Sequence, residues 1–213
     1  MRYKAILFDM DGTLLDTLTD MASSVNHILS VHGWPLRTTE EVRAFVGNGA
    51  RRLMERAVPP EITGEAFEAV LTEYRDWYQA HNCVDTAPYP GIPALLDALA
   101  AAGVKTAVVS NKPDATTRAL AARFFPGLPA FGQRDDVPPK PAPDLVFRAL
   151  ETLGVETADA AYVGDSEVDV ATARNAGLPL AAVSWGFRGR RALAEAGAAV
   201  IVDTAAELLA LLQ

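Results

Sequence analysis

Apolar and polar positions along the chain fall into two regimes. Near the start, Ala5-Ile6-Leu7-Phe8 is an unbroken apolar run that ends abruptly on Asp9, with a second acid at Asp11 and a glycine at Gly12. This pattern predicts a buried strand that delivers two carboxylates to its carboxyl end and then turns. Side chains alternate along extended backbone, so Asp9 and Asp11 face one pocket while Met10 points away. From about residue 17 to about residue 86 the period becomes helical. Leu18, Met21, Ala22, Val25, Ile28 and Leu29 make one stripe that ends near His32-Gly33-Trp34-Pro35. Thr38 to Glu41 has capping-box spacing, Gly47-Asn48-Gly49 interrupts the run, and Ala50 to Ala57 is helical again until Pro59-Pro60. Phe67, Val70, Leu71, Tyr74, Trp77, Tyr78 and His81 then recur at three- and four-residue steps.

After the linker Pro88-Tyr89-Pro90-Gly91 the pattern alternates. Helices are expected over Pro93 to Ala102, Asp114 to Phe124, Pro143 to Leu153 and Glu167 to Ala176, with a last one opened by the capping spacing of Thr204 to Glu207. Strands are expected over Lys105 to Val109, Ala160 to Val163, Leu180 to Ser184 and Ala199 to Val202. Short β-rich runs bounded by helices imply parallel strands joined by right-handed crossovers. The expected fold class is therefore α/β, a doubly wound parallel sheet with a helical insert. Residues 1–16 and 87–213 form its core and residues 17–86 the insert, with Leu15 to Leu18 and Ala87 to Gly91 as a hinge.

Composition narrows this picture. Half of the 213 residues are apolar, enough for one generous domain or a core with a smaller insertion. The formal charge of −8 argues against sequence-independent binding to nucleic acid and against anionic membranes. A phosphorylated partner must therefore be met by a local positive site or a metal. Cys83 is the sole cysteine, which leaves no internal disulfide and suits a reducing compartment. Met1-Arg2-Tyr3-Lys4 is followed by too few apolar residues for a signal peptide, and no apolar segment is long enough to span a bilayer. The expectation is a cytoplasmic monomer or homodimer.

In a doubly wound sheet the working site lies beyond the carboxyl ends of the strands, so chemistry should gather there. Asp9 and Asp11 follow the first strand, Ser110-Asn111-Lys112 the second and Gly164-Asp165 another. Two close carboxylates repel unless a cation neutralises them or one holds a proton, and both outcomes suit phosphoryl transfer. The plainer reading is a strand end whose acids cap the next turn. Ser110 is placed to cradle phosphate or to cap the following helix, as Asp114 would. Lys140, in Pro138-Pro139-Lys140-Pro141, has a restricted backbone that would aim its ammonium at phosphate or at the acids, or it is a surface lysine. Asp165 is a hard oxygen ligand suited to Mg²⁺. Asp169 combines support of that site with capping from Ser166. Gly47-Asn48-Gly49, followed by Arg51 and Arg52, is either an interhelical turn or a contact for the non-phosphate part of a substrate. His27, His32 and His81 read as packing or surface residues.

Taken together, Asp9-Met10-Asp11-Gly12-Thr13, Ser110-Asn111, Lys140-Pro141 and Gly164-Asp165-Ser166 with Asp169 resemble the four ordered motifs of the haloacid-dehalogenase superfamily of phosphohydrolases. The resemblance spans the whole chain. It implies a Rossmann-like core and makes the insert an α-helical cap. Within the superfamily, Val46-Gly47-Asn48-Gly49, Ser110-Asn111-Lys112-Pro113 and Val183-Ser184-Trp185-Gly186 are similar to phosphoglycolate phosphatases. Carried over by position, Asp9 is the nucleophile that forms an aspartyl-phosphate and Asp11 the acid and then the base. Mg²⁺ is held by the Asp9 and Asp165 carboxylates and the Asp11 carbonyl, with Asp169 in support. Gly12 lets the backbone approach, while Thr13, Ser110, Asn111 and Lys140 cradle the phosphoryl oxygens. Gly47, Asn48 and Arg51 belong to the cap side, where Asn48 and Arg51 are expected to meet a substrate carboxylate. The implied activity is hydrolysis of a small phosphorylated metabolite, 2-phosphoglycolate first. Alternatives are the same chemistry on a sugar phosphate, a nucleotide or pyrophosphate, a phosphoglucomutase-type transfer, and a receiver-like phospho-aspartate switch. A plain nucleotide-binding module is weakened by the absence of a Gly-x-Gly-x-x-Gly after the first strand.

Overall fold

A computed structural model describes residues 2–213. The chain opens with strand β1 (Ala5–Phe8) and a two-residue strand β2 (Leu15–Asp16). Four helices follow, α1 (Leu18–Val31), α2 (Thr39–Phe45), α3 (Gly49–Ala57) and α4 (Gly64–His81). Strand β3 (Ala87–Pro88) returns to pair antiparallel with β2. The remainder alternates: α5 (Ile92–Ala101), β4 (Lys105–Pro113), α6 (Asp114–Phe124), β5 (Ala130–Gln133), α7 (Asp144–Leu153), β6 (Ala160–Gly164) and α8 (Glu167–Ala176). It closes with β7 (Leu180–Val183), α9 (Gly189–Glu195), β8 (Ile201–Val202) and α10 (Ala205–Leu212).

Six strands form one parallel sheet in the order β5-β4-β1-β6-β7-β8. The chain winds outward from β1 to β4 and β5, then crosses back to β6, so the direction of winding reverses between β1 and β6. That is the place where the loops beyond two neighbouring strands part and leave a crevice. The sequence of β1 explains why it sits centrally. Ile6 and Phe8 enter one apolar cluster with α5, α6 and α10, while Ala5 and Leu7 enter another with α7 and α8. Both faces are covered, so the strand carries no polar alternation.

The insert has a core of its own. The apolar stripes of α1, α3 and α4 meet with Val42 of α2, and Phe187 from the loop before α9 joins them. Thr38 caps α2 with the reciprocal Glu41 bonds expected of a capping box. Buried Asp20 on α1 accepts the backbone N–H groups of Val84, Asp85 and Thr86 at 2.9–3.0 Å, which ties the return tether to the insert's first helix.

Several bounds differ from the sequence pattern. The second sheet strand runs on to Pro113, because its pairing with β5 slips register between Val109 and Pro113 and resumes beyond Lys112. β5 itself carries no usable period: it has four residues, one of them glycine, at the sheet's edge. α9 escapes for a similar reason, since only Leu193 of its residues is buried.

Candidate active site

The turn after β1 is held by one carbonyl. Thr13, Leu14 and Leu15 all donate N–H bonds to Met10 O, and Gly12 N donates to Leu15 O at 2.9 Å. Gly12 has φ +85°, and a Cβ there would strike the Asp165 carboxylate, so the position requires glycine. The turn sets Asp9 at the end of β1 beside Asp165 and Asp169 from the end of β6 and the start of α8. One carboxylate oxygen from each of the three lies within 4.8 Å of the others.

Lys140 is the cation within this cluster. Its side chain is 2% exposed, and Nζ sits 2.9 Å from Asp9 Oδ1 and 2.9 Å from Asp169 Oδ1. Nζ also donates to Tyr162 Oη at 3.0 Å. Burial alone would lower the lysine, but Asp169 and Asp9 outweigh it and hold the ammonium well above its ordinary range. The Asn111 side chain positions this lysine: Oδ1 accepts Lys140 N at 2.7 Å, and Nδ2 donates to Lys140 O at 2.9 Å. Asn111 thus acts on the main chain of Lys140 and reaches the insert at Gly47 O, 3.4 Å away, where direct contact with phosphate was expected. Thr13 is likewise turned inward. Its hydroxyl donates to Asp165 Oδ1 at 3.1 Å, so it orients a carboxylate.

Each acid is differently occupied. Asp9 Oδ1 takes Met10 N–H and Lys140, which leaves Oδ2 without a protein donor. Asp165 Oδ2 accepts Phe187 N–H at 2.7 Å. Asp169 spends both oxygens on Lys140, Ser166 and Tyr162, so it supports the site and caps α8 at once. Burial, then the neighbouring Asp169 and Asp11 charges, push Asp9 up to about 7, against the pull of Lys140. Burial and the charges of Asp169 and Asp9 push Asp165 well above the carboxylate range, although Phe187 N–H and Thr13 oppose this. Three buried carboxylates around one ammonium leave excess negative charge in a desolvated place. The donor set, hard oxygens with no sulfur or imidazole, fits a small divalent cation that would remove that excess.

A cavity of about 430 Å³ opens above the cluster, between the sheet and the insert. Asp9, Asp11, Ser110, Lys140 and Asp165 line its floor; Gly47, Gly49, Leu53 and Tyr78 line the opposite side. Ser110 Oγ is occupied only as acceptor of Lys112 N–H at 3.2 Å, so its proton remains for a ligand. Asp11 sits apart from the Lys140 cluster: its Oδ1 accepts Thr17 Oγ1 at 2.8 Å, and Lys112 Nζ donates to Oδ1 and Oδ2 at 2.8 and 3.0 Å.

On the insert side Gly47 lines the cavity, while Asn48 and Arg51 stand elsewhere. Arg51 is turned away and forms a two-pronged pair with Glu68 at 2.8 and 2.7 Å, its side chain 46% exposed. Asn48 caps α3 by position without a side-chain bond, and neither residue lines the cavity. The cations that do line it include Lys112 and Arg188. Lys112 directly follows Ser110-Asn111, so its place at a strand end was a signal; Arg188 belongs to no readable pattern. Arg188 spans core and insert: Nη1 donates to Arg43 O at 2.8 Å, Nη2 to Val46 O at 2.5 Å and Nε to Glu167 Oε2 at 2.9 Å. Glu167 is therefore an ion-pair partner as well as a first-turn acid. Gly186 is also required, because a Cβ there would collide with Gly12 O and the Asp165 side chain. The histidines pack, with His27 and His81 stacked on either side of Trp77 at 3.3 and 3.9 Å between ring centroids.

Acids, a hydroxyl and a buried lysine converging at the crevice beside β1 of a parallel sheet are an arrangement suited to phosphoryl-transfer chemistry. Comparison with known proteins agrees. Residues 6–183 match the family of haloacid dehalogenase-like hydrolases, and the chain belongs to that family. It is 35% identical to the N-acetylmuramic acid 6-phosphate phosphatase of Pseudomonas aeruginosa, over 98% of this chain and 94% of that one. It is 34% identical to the phosphoglycolate phosphatase of Rhodospirillum rubrum, over 96% of this chain and 89% of that one. The crystal structure of a proposed phosphoglycolate phosphatase from Lactobacillus delbrueckii subsp. bulgaricus superposes with a TM-score of 0.94 at 37% identity, covering 100% of this chain and 99% of that one. The chain is thus a phosphoric monoester hydrolase of this family. Among the described residues no helix is long and apolar enough to cross a membrane.

Proposed function

We propose that the enzyme hydrolyses a small acidic phosphomonoester, 2-phosphoglycolate first among candidates, through a phospho-aspartate on Asp9. The observation that carries this reading is the Asp9 carboxylate, with Oδ1 fixed by Lys140 and Met10 N–H and Oδ2 left free toward the cavity. Oδ2 attacks phosphorus, the bond to the leaving oxygen breaks, and Asp11 supplies the proton to that oxygen. Asp11 then takes a proton from water, which opens the aspartyl-phosphate and restores Asp9. Lys140 and the Ser110 hydroxyl bind the phosphoryl oxygens, with Asn111 and Thr13 fixing the groups behind them. Asp9, Asp165 and the Asp11 carbonyl would hold Mg²⁺, with Asp169 in support. The ion would offset charge on the phosphoryl group and on the clustered acids. Residues 17–86 act as a cap that closes over the substrate and excludes water.

A second reading, a larger sugar phosphate such as N-acetylmuramic acid 6-phosphate, is favoured by the relative matched over 94% of its length and by the cavity. At about 430 Å³ it falls within the ~300–1,000 Å³ of sites for much larger ligands than a two-carbon acid. The test is phosphate release with Mg²⁺ from 2-phosphoglycolate, N-acetylmuramic acid 6-phosphate, other sugar phosphates, nucleotides and pyrophosphate, with Asp9→Asn as the blank. The highest kcat/KM is expected for 2-phosphoglycolate, with turnover abolished in the blank. A sugar phosphate that wins by tenfold or more transfers the assignment to the second reading. A long-lived phospho-enzyme without turnover would turn the site into a switch.

A further inference from the structure

Lys112 has no task in the chemistry above, yet it occupies a demanding place. Its side chain is 4% exposed, it pairs with both oxygens of Asp11, and its ammonium stands 4.7 Å from the ring centroid of Tyr78 on the insert helix α4. A buried ammonium is tolerated only when paired, so Asp11 and the aromatic face are what keep it there. This pairing conflicts with the role of Asp11. Oδ1 accepts from Thr17 and Lys112, and Oδ2 accepts from Lys112. Three of the roughly four acceptor sites of the carboxylate are taken and both oxygens are drawn to one ammonium, so a leaving alkoxide competes with Lys112 for Asp11. An ammonium that lost Asp11 and gained nothing would be left desolvated and unpaired, which is far costlier than an exchange of partners. The cavity contains a second group in need of a partner, on the insert side facing Lys112. The Tyr78 hydroxyl is buried and has no hydrogen-bond partner among the described residues, an arrangement that costs stability unless a ligand supplies an acceptor.

We propose that Lys112 binds a carboxylate carried by the leaving group of the substrate, and that this exchange of partners releases Asp11 to serve the leaving oxygen. The proposal deepens the phosphatase reading and rests on Asp11 as its acid–base group. No proton or bond changes hands at Lys112; one carboxylate replaces another across the same ammonium. Substrates with an acid close to the ester oxygen then turn over faster, and do not merely bind more tightly. A neutral ester meets an Asp11 that is still held.

The experiment compares 2-phosphoglycolate with ethyl phosphate, which has a methyl group where the acid would be, in the wild type, Lys112→Met and Lys112→Arg. In the wild type kcat favours 2-phosphoglycolate by about 100-fold. In Lys112→Met that preference collapses at least tenfold, with kcat for the acid falling and kcat for ethyl phosphate rising because Asp11 is no longer held. Lys112→Arg keeps the charge and retains most of the preference. A loss confined to KM, or equal losses on both esters, overturns the proposal and leaves Lys112 as support for Asp11 alone. Product inhibition of the wild type needs no variant: glycolate competes with substrate and ethylene glycol does not, and equal behaviour of the two also overturns it. A wild type that hydrolyses no phosphate ester at all defeats the phosphatase reading itself, which is a different result from a working enzyme without the preference.

Discussion

At the scale of single residues the site is governed by charge crowded into a dry place. Asp9 is pushed up to about 7 by burial and by Asp169 and Asp11. In the metal-free protein the folded state therefore binds a proton more tightly than the unfolded chain does. Stability from this group is fully present below the ordinary carboxylate range and is lost as pH rises toward about 7. Mg²⁺ competes with that proton, so its effect runs the opposite way. The rise in Tm on adding Mg²⁺ should be larger at pH 8 than at pH 5 by several degrees, and Asp9→Asn should flatten the difference. Equal shifts at both pH values would mean that Asp9 does not hold the ion. Asp9, Asp11 and Asp165 were legible because they follow apolar runs at strand ends, and Asp169 because of its capping spacing from Ser166. The tasks of Thr13 and Asn111 were not. A hydroxyl or an amide beside a phosphate site can face ligand or protein, and only the positions of Asp165 and Lys140 decide which.

At the scale of elements, periodicity predicted the long helices and the buried strands well, because each had enough residues to show a face. The short elements carried no such signal. β2 and β3 have two residues each and exist by pairing with one another across an insert of some seventy residues, a contact that no local pattern records. Asp20 is the same kind of case: an acid on an apolar stripe of α1 that serves as the anchor for the returning tether. Asp20→Ala removes the acceptor for three N–H groups and the Thr86 hydroxyl, and should lower stability by about 1–3 kcal/mol in urea unfolding. An unchanged midpoint would show that β2 and β3 alone hold the tether.

At the scale of the whole molecule, core and insert communicate through the loop between β7 and α9. Phe187 packs in the insert's core while its N–H holds Asp165, and Arg188 bonds the carbonyls at the end of α2. The position of the insert and the acid cluster are thus mechanically joined. Arg188→Ala should raise KM about three- to tenfold with a smaller effect on kcat, and should increase the radius of gyration measured by X-ray scattering; no change in either would remove the arginine from cap positioning. What the sequence by itself determined is the fold class, the existence of a helical insert and the acids, hydroxyl and lysine at the strand ends. Those follow from local period and from the rule that open parallel sheets work at their carboxyl edge. What only the tertiary structure decided is how the charges pair: Arg51 with Glu68 and not the cavity, Lys112 with Asp11, Arg188 with the insert. Arginine and lysine side chains are long, and their partners lie 17 to 145 residues away in the chain, so their destinations depend on how the elements pack.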